Sequence, residues 1–366
     1  MAHFVVDSKA VAHNIDFVKR AAEVPIIAVV KGNGYGLGLT WLASLLQSSG
    51  ITRFAITELT DIPALREAVG STAEILLLRS TALPEEVAAI VASGCTATIG
   101  SSQAAKILDD TAARLGIVAR AYVKIDIGLG RYGFFPSQIE EILACYKLQH
   151  VQIDGIYGHF SHASQQNNNA THIELNRFNG CVDQISQAKV NVGIRHIANS
   201  PALLNFPETH LDAVRVGSAF TGRVAARKAN ELKCAAFLQA SVIDLKRFPK
   251  GTPMGYGGAY RTKRDTLAAI VPIGTQDGFG LQPTPVPTIP RALAMAKHAL
   301  TNSHPAVQIG GRSYPVLGTI DMSLCMVDVT DCPIEWGAIA RADVNPLMVP
   351  SDVERNVRDR LPWAST

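Results

Sequence analysis

The segment Ala28-Val29-Val30-Lys31-Gly32-Asn33-Gly34-Tyr35-Gly36 places one lysine where an apolar, β-branched run gives way to a glycine-rich turn. A lysine at the end of a buried strand loses hydration and its pKa falls. The neutral amine then serves as nucleophile and base. The turn is not a phosphate-cradling loop of the nucleotide-enzyme kind, because the order Gly-x4-Gly-Lys-Ser/Thr is absent. The cysteines (Cys95, Cys145, Cys181, Cys234, Cys325 and Cys332) are scattered, with no Cys-x-x-Cys pair. That spacing indicates neither a zinc site nor a disulfide framework, and no metal is expected.

Such a lysine needs a scaffold that gathers strand ends. Residues 25–30, 75–78, 121–127 and 151–156 are short, apolar and bounded by polar residues or glycine, and read as buried strands. Residues 63–69, 84–92 and 137–146 read as helices between them. Strand–helix alternation favours parallel strands joined by crossover helices. Over residues 5–230 the number of such units approaches the eight of a (β/α)8 TIM-type barrel, in which Lys31 would sit on the catalytic, C-terminal face. A doubly wound sheet stays open, since periodicity does not separate the two.

From residue 231 onward, residues 234–245, 265–273, 305–310 and 314–329 read as strands with little helix between them. A Pro-rich stretch at 282–290 and a helix-like one at 291–300 interrupt this half. The expected organisation is therefore α/β: a barrel over 5–230, then a mostly β C-terminal domain over 231–366 with residues 1–4 packing on it. The charged tail, 352–366, is expected to be peripheral.

At about 150 residues per domain, 366 residues suit two domains or a barrel with an addition. Apolar residues are 47% and charged residues 18%, which supports a packed core rather than disorder. Lys and Arg number 34 against 31 Asp and Glu, a net +3 too mild to imply nucleic acid or an anionic membrane as partner. No run approaches the roughly 20 apolar residues of a membrane span. The start, Met1-Ala2-His3-Phe4, lacks a basic-then-apolar signal. A soluble, cytoplasmic protein is expected.

The lysine segment resembles the V-K-A-N-A-Y-G motif of alanine racemases, in which the lysine binds pyridoxal phosphate (PLP). Further blocks follow in that family's order. Residues 124–133 (KIDIGLGRYG) resemble K-x-D-T-G-M-G-R-x-G, and 155–160 (GIYGHF) resemble G-x-x-T-H-F. Residues 196–200 (HIANS) resemble H-x-A-N-S, and 214–217 (VRVG) resemble V-R-x-G. Residues 255–257 (GYG) resemble S-Y-G, and 272–278 (PIGTQDG) resemble P-I-G-Y-A-D-G.

The resemblance implies an isomerase that interconverts L- and D-alanine with two bases. Lys31 matches the PLP-binding lysine, and Tyr256 matches the opposing base, contributed by the other subunit of a homodimer with shared sites. His159 and Arg215 match the groups that assist that tyrosine, and Arg215 also faces the PLP ring nitrogen. A guanidinium there keeps its proton and leaves the ring nitrogen unprotonated, which weakens the electron sink and favours racemisation over side reactions. Tyr35, Asn199, Ser200, Gly217 and Ser218 match positions around the cofactor, where hydroxyls and backbone N–H groups suit a dianionic phosphate. Arg131 and Met322 match substrate-side residues. Lys124 matches a lysine that some members carbamylate.

The sequence departs from the pattern at several places. Thr275 replaces the tyrosine of P-I-G-Y, which suggests a wider entrance. The family's C-M-D-Q reads Asp321-Met322-Ser323-Leu324. No tyrosine follows Tyr314, and Val357 falls where the family carries a C-terminal one. Residues 281–305 are longer than usual for the family. A racemase or epimerase for a larger amino acid, such as serine or a basic residue, stays open, as does a non-catalytic PLP-binding relative. A PLP decarboxylase of this fold would carry a carboxylate in place of Arg215.

Overall fold

The computed structural model describes residues 1–165, 169–258, 260–281 and 305–359. The stretches expected at 282–290 and 291–300, most of the long segment 281–305 and the end of the tail lie outside them. The described residues form two compact units, Met1–Ser8 with Ala235–Thr366, and Lys9–Cys234.

Strand β1 (His3–Asp7) leads into a helix, Ser8–Ala22. The helix buries Val11, Asn14, Ile15 and Val18, an i, i+3, i+4, i+7 stripe, and ends on Lys19 and Arg20, whose charges suit a helix C-terminus. Strands then alternate with helices: β2 (Ile26–Val29), β3 (Arg53–Ile56), β4 (Glu74–Leu77), β5 (Ala97–Ile99), β6 (Ala119–Lys124), β7 (Val151–Tyr157), β8 (Ile194–His196) and β9 (Val214–Val216). Among the described residues they form two four-stranded parallel sheets, β4-β3-β2-β9 and β5-β6-β7-β8.

Two seams close the sheets into a ring. Leu76 bridges Thr96, with Leu77 N donating to Thr96 O at 2.9 Å, and His196 bridges Ala213, with Arg215 N donating to Ala198 O at 2.9 Å. The result is the eight-stranded barrel rather than an open doubly wound sheet. Ile27, Val29, Ala55, Leu76, Tyr122, Tyr157 and Ala213 fill its interior. Gly155 in β7 is required by packing: a Cβ there would stand 2.1 Å from Ile194 O and 2.7 Å from the Tyr122 ring.

The second unit adds β10 (Ala236–Ser241), β11 (Asp244–Phe248), β12 (Pro253–Met254), β13 (Tyr260–Arg261), β14 (Thr266–Val271), β15 (Ala306–Ile309), β16 (Arg312–Pro315), β17 (Cys325–Asp328), β18 (Ile339–Asp343) and β19 (Arg355–Arg358). Its largest sheet has the order β16-β15-β18-β10-β1-β19. β1 pairs antiparallel with β10 and parallel with β19, which seals Phe4, Val5 and Val6 completely while His3 stays exposed and Asp7 half-buried. By packing, the grouping of residues differs slightly from the expected limits of 5–230 and 231–366. Residues 5–8 group with the β unit because β1 hydrogen-bonds to β10 and β19, and residues 231–234 group with the barrel.

Candidate active site

The Lys31 turn has an unusual backbone. Gly32 (φ 59°), Asn33 (φ 53°), Gly34 (φ 63°) and Tyr35 (φ 53°) form a left-handed helical turn, closed by Gly34 N donating to Val30 O and Gly36 N to Gly32 O, both at 2.9 Å. Left-handed residues with a Cβ cost about 1–2 kcal/mol each, which accounts for glycine and asparagine here. Asn33 offsets part of that cost by accepting Leu39 N at 2.9 Å. Tyr35, also left-handed at φ 53°, carries a similar cost.

The turn opens onto a cavity of about 200 Å³ at the C-terminal ends of the barrel strands. Lys31, Tyr35, Lys124, Arg131, His159, Asn199, Ser200, Arg215, Gly217 and Ser218 all line it. None of the described lining residues is acidic, and four basic side chains, Lys31, Lys124, Arg131 and Arg215, face one space. Burial, and then the charges of Arg131 and Arg215, push the Lys31 amine down from its ordinary value. Burial and Arg215 push Lys124 down to about 7, with Asp126 opposing. Lys124 is 2% exposed and donates from Nζ to Ile125 O at 2.8 Å.

Arg215 sits in β9 and is fully enclosed. Its Nη1 donates to His196 Nδ1 (2.6 Å), and its Nη2 donates to Gly158 O (2.8 Å) and His159 Nδ1 (3.0 Å). A guanidinium only donates, so both Nδ1 atoms must accept, and each imidazole carries its proton on Nε2. Burial, followed by the charge of Arg215, holds both histidines well below their usual pKa, so both are neutral. Burial pulls Arg215 down to about 10, with Tyr157, Tyr132 and Tyr35 opposing, which leaves it charged at neutral pH. The Tyr157 ring lies 4.9 Å from the guanidinium carbon and stacks on His196 at 5.0 Å.

On another wall, Ser200 Oγ accepts Gly217 N (3.2 Å) and Ala219 N (3.3 Å), leaving its own proton to donate. Asn199 caps the short helix Ser200–Asn205 through Oδ1, which accepts Ala202 N at 3.0 Å. A Cβ on Gly217 would stand 2.2 Å from Tyr35 Cε2, so only glycine lets the tyrosine ring lie along this backbone.

Tyr256 and Met322 are not part of this lining. They belong to the β unit, where Tyr256 begins the turn Tyr256–Gly258 and is 82% exposed, and Met322 is 71% exposed. Thr275 begins the turn Thr275–Asp277. Val357 lies in β19 and offers no hydroxyl. Sequence reasoning gave no role to Tyr157, His196 or Tyr132. All three stood inside matched blocks, and an aromatic or histidine in a strand that reads as core carries no further signal.

The amino-terminal region matches the model of the family described as alanine racemase, N-terminal domain, over residues 6–224, and residues 235–344 match alanine racemase, C-terminal domain. The alanine racemase of Desulforamulus reducens is 30% identical over 370 residues, covering 99% of this chain and 93% of that protein. That of Methanococcus maripaludis is 30% identical over 333 residues, covering 89% and 84%. The biosynthetic alanine racemase of Pseudomonas aeruginosa superposes with a TM-score of 0.83 at 26% identity, covering 98% of this chain and 99% of that one. The enzyme of Bartonella henselae, with covalently bound pyridoxal phosphate, shares the fold at a TM-score of 0.82 and 19% identity. With both domain models matched in order over a closed barrel and a β unit, the chain belongs to the alanine racemase family.

Proposed function

We propose that this protein is a PLP-dependent alanine racemase in which Lys31 holds the coenzyme. The observation that carries the reading is the joint presence in one cavity of a depressed lysine amine, a buried donor-only arginine and a hydroxyl- and N–H-lined wall. The residues fit the coenzyme. Lys31 matches its aldehyde, Arg215 its ring nitrogen, and Tyr35, Ser200, Gly217 and Ser218 its phosphate, with Gly217 letting the Tyr35 ring and hydroxyl lie along that wall. The Bartonella henselae structure supports the same pairing of fold and coenzyme.

When bound, PLP supplies the electron sink that acidifies the amino acid's α-hydrogen. Inversion needs two groups that handle the proton from opposite sides. Lys31 Nζ is one, and burial with the charges of Arg131 and Arg215, which lower its pKa, favours the neutral amine a base needs. Tyr256 Oη from a second copy is the other, and its exposure leaves each copy's phenol available to the cavity of its partner. Arg131 receives the substrate carboxylate. Arg215, held between two neutral imidazoles, stays protonated and does not give up a proton to the ring nitrogen. His159, whose Nδ1 is committed to Arg215, keeps Nε2–H for the phenol.

The proposed assembly is a homodimer with shared sites, and the proposed location is the cytoplasm. Among the described residues no helix is long and apolar enough to cross a membrane. Thr275 favours a second reading, a larger amino acid as substrate. A panel of single L-amino acids, including alanine, serine and arginine, incubated with the PLP-loaded protein and resolved on a chiral column tests both. Alanine should racemise fastest. Faster turnover of serine or arginine would establish the second reading, and none with any substrate would leave a non-catalytic PLP-binding protein.

A further inference from the structure

Asp126 does not line the cavity, yet the segment that carries Arg131 is folded around it. Beyond β6 the chain makes an excursion closed at its base, where Asp126 N donates to Phe134 O (2.8 Å) and Phe134 N donates to Lys124 O (2.9 Å). Within it, Asp126 Oδ1 accepts the N–H groups of Gly128 (3.1 Å), Leu129 (3.0 Å) and Gly130 (3.1 Å), and Oδ2 accepts that of Arg131 (2.9 Å). The positive φ of Gly128 (139°) and Gly130 (70°) lets four consecutive N–H groups converge on one point. From outside, Arg177 Nη1 donates to Ile127 O at 3.1 Å.

Asp126 is 5% exposed. Burial alone would push its carboxyl up, but the N–H groups of Gly128, Gly130 and Arg131, with the charge of Lys124, hold it below the usual carboxylate range. The group is therefore an anion as it gathers these donors.

We propose that Asp126 is the positioning residue for Arg131, fixing through its carboxylate the backbone from which the guanidinium meets a ligand's carboxylate. The proposal rests on the reading of Arg131 as the group that receives that carboxylate. Arg131 begins no regular element, and its backbone is tied at the N–H to Oδ2, while its guanidinium carbon lies 4.8 Å from the centre of the Tyr132 ring.

The two carboxylate oxygens have separate duties, which makes the test specific. In Asp126→Asn the amide oxygen can take the place of Oδ1 and keep three N–H groups. The amide NH2 then faces the Arg131 N–H donor to donor, so the lesion falls on Arg131. Propionate, which is alanine without its amine, is the probe for the carboxylate subsite. Its inhibition constant would be measured on PLP-loaded wild type, Asp126→Asn, Arg131→Ala and the double variant, with thermal midpoint and borohydride-fixed PLP on Lys31 as controls.

Asp126→Asn should weaken propionate about tenfold, as expected for one lost charge-assisted hydrogen bond. The coenzyme should stay on Lys31, and adding the substitution to Arg131→Ala should weaken propionate no further. Unchanged propionate binding in Asp126→Asn, or a double-variant loss equal to the product of the two single losses, would overturn the proposal and leave the reading of Arg131 standing. Wild-type propionate binding in Arg131→Ala would overturn that reading and the proposal with it. If Asp126→Asn does not fold, Asp126→Glu enters the same cycle, since it keeps the charge and displaces it by one methylene.

Discussion

Replacing Gly217 by alanine puts a methyl group 2.2 Å from Tyr35 Cε2, 2.6 Å from Cζ and 2.7 Å from the phenolic oxygen. Carbon atoms rest at about 3.5–4.0 Å, so the ring must withdraw by about 1.5 Å. The backbone of Tyr35 cannot swivel cheaply to allow this, because it is the last residue of the left-handed turn at φ 53°. The side chain must move instead, taking its hydroxyl from the wall it shares with Gly217 N and Ser200. Overpacking of this kind costs about 1–3 kcal/mol in the coenzyme-free protein. Displacing one or two charge-assisted donors, at about 1.5–3 kcal/mol each, should weaken PLP by about tenfold for one at the low end and about a hundredfold or more for two.

The assay is a titration of apoprotein with PLP, followed by borohydride reduction and peptide mapping at Lys31. Because the clash is with the ring, Tyr35→Ala should remove it. The double variant Gly217→Ala/Tyr35→Ala should therefore bind PLP no worse than Tyr35→Ala alone. Wild-type PLP affinity in Gly217→Ala, or simple addition of the two losses, would refute the claim that this glycine exists to let Tyr35 line the phosphate wall.

Further outcomes follow from the site. Lys31→Ala should lose borohydride-fixable PLP at this position. Tyr256→Phe should retain PLP yet slow proton removal from L-alanine by about 10²–10⁴, and mixed, subunit-exchanged Lys31→Ala and Tyr256→Phe should regain activity measurable by chiral chromatography if sites are shared. Lys124 has a folded-state pKa of about 7 against an ordinary 10.5, so between these values the unfolded chain binds the extra proton and folding stability rises with pH. The penalty is fully present below about 7 and fades toward 10.5. The stability of Lys124→Met relative to wild type, from urea unfolding across that window, should fall as pH rises, and a flat difference would contradict the shift.

Much of the site could be read in the sequence because its backbone makes unusual demands. The Gly-Asn-Gly-Tyr-Gly run is rich in residues that tolerate positive φ, and the structure uses it for a left-handed turn. The glycines around Arg131 likewise mark a curled loop. The interior was harder to read. Tyr157 and His196 look like core residues, and only the closed barrel brings them against Arg215. Asp126 gains its role from four backbone donors, which no side-chain pattern records.

The strands expected at 25–30, 75–78, 121–127 and 151–156 are present within a few residues as Ile26–Val29, Glu74–Leu77, Ala119–Lys124 and Val151–Tyr157. Ala97–Ile99 and Ile194–His196 are too short to show a period, and were not singled out. The place of β1 was hidden for a different reason. Its pairing partners lie more than two hundred residues away along the chain, and local pattern does not encode such register.

The central claim, that one coenzyme-bearing lysine and a phenol from a second copy invert alanine at its α-carbon, is tested most directly in D2O. PLP-loaded protein would be incubated with L-alanine alone, and deuterium and chirality would be read together. The account predicts D-alanine carrying deuterium at the α-carbon, with both the deuterium and the D-enantiomer lost in Lys31→Ala. Recovery of undeuterated L-alanine from protein shown to hold PLP on Lys31, or deuterated L-alanine with no D-alanine, would contradict it.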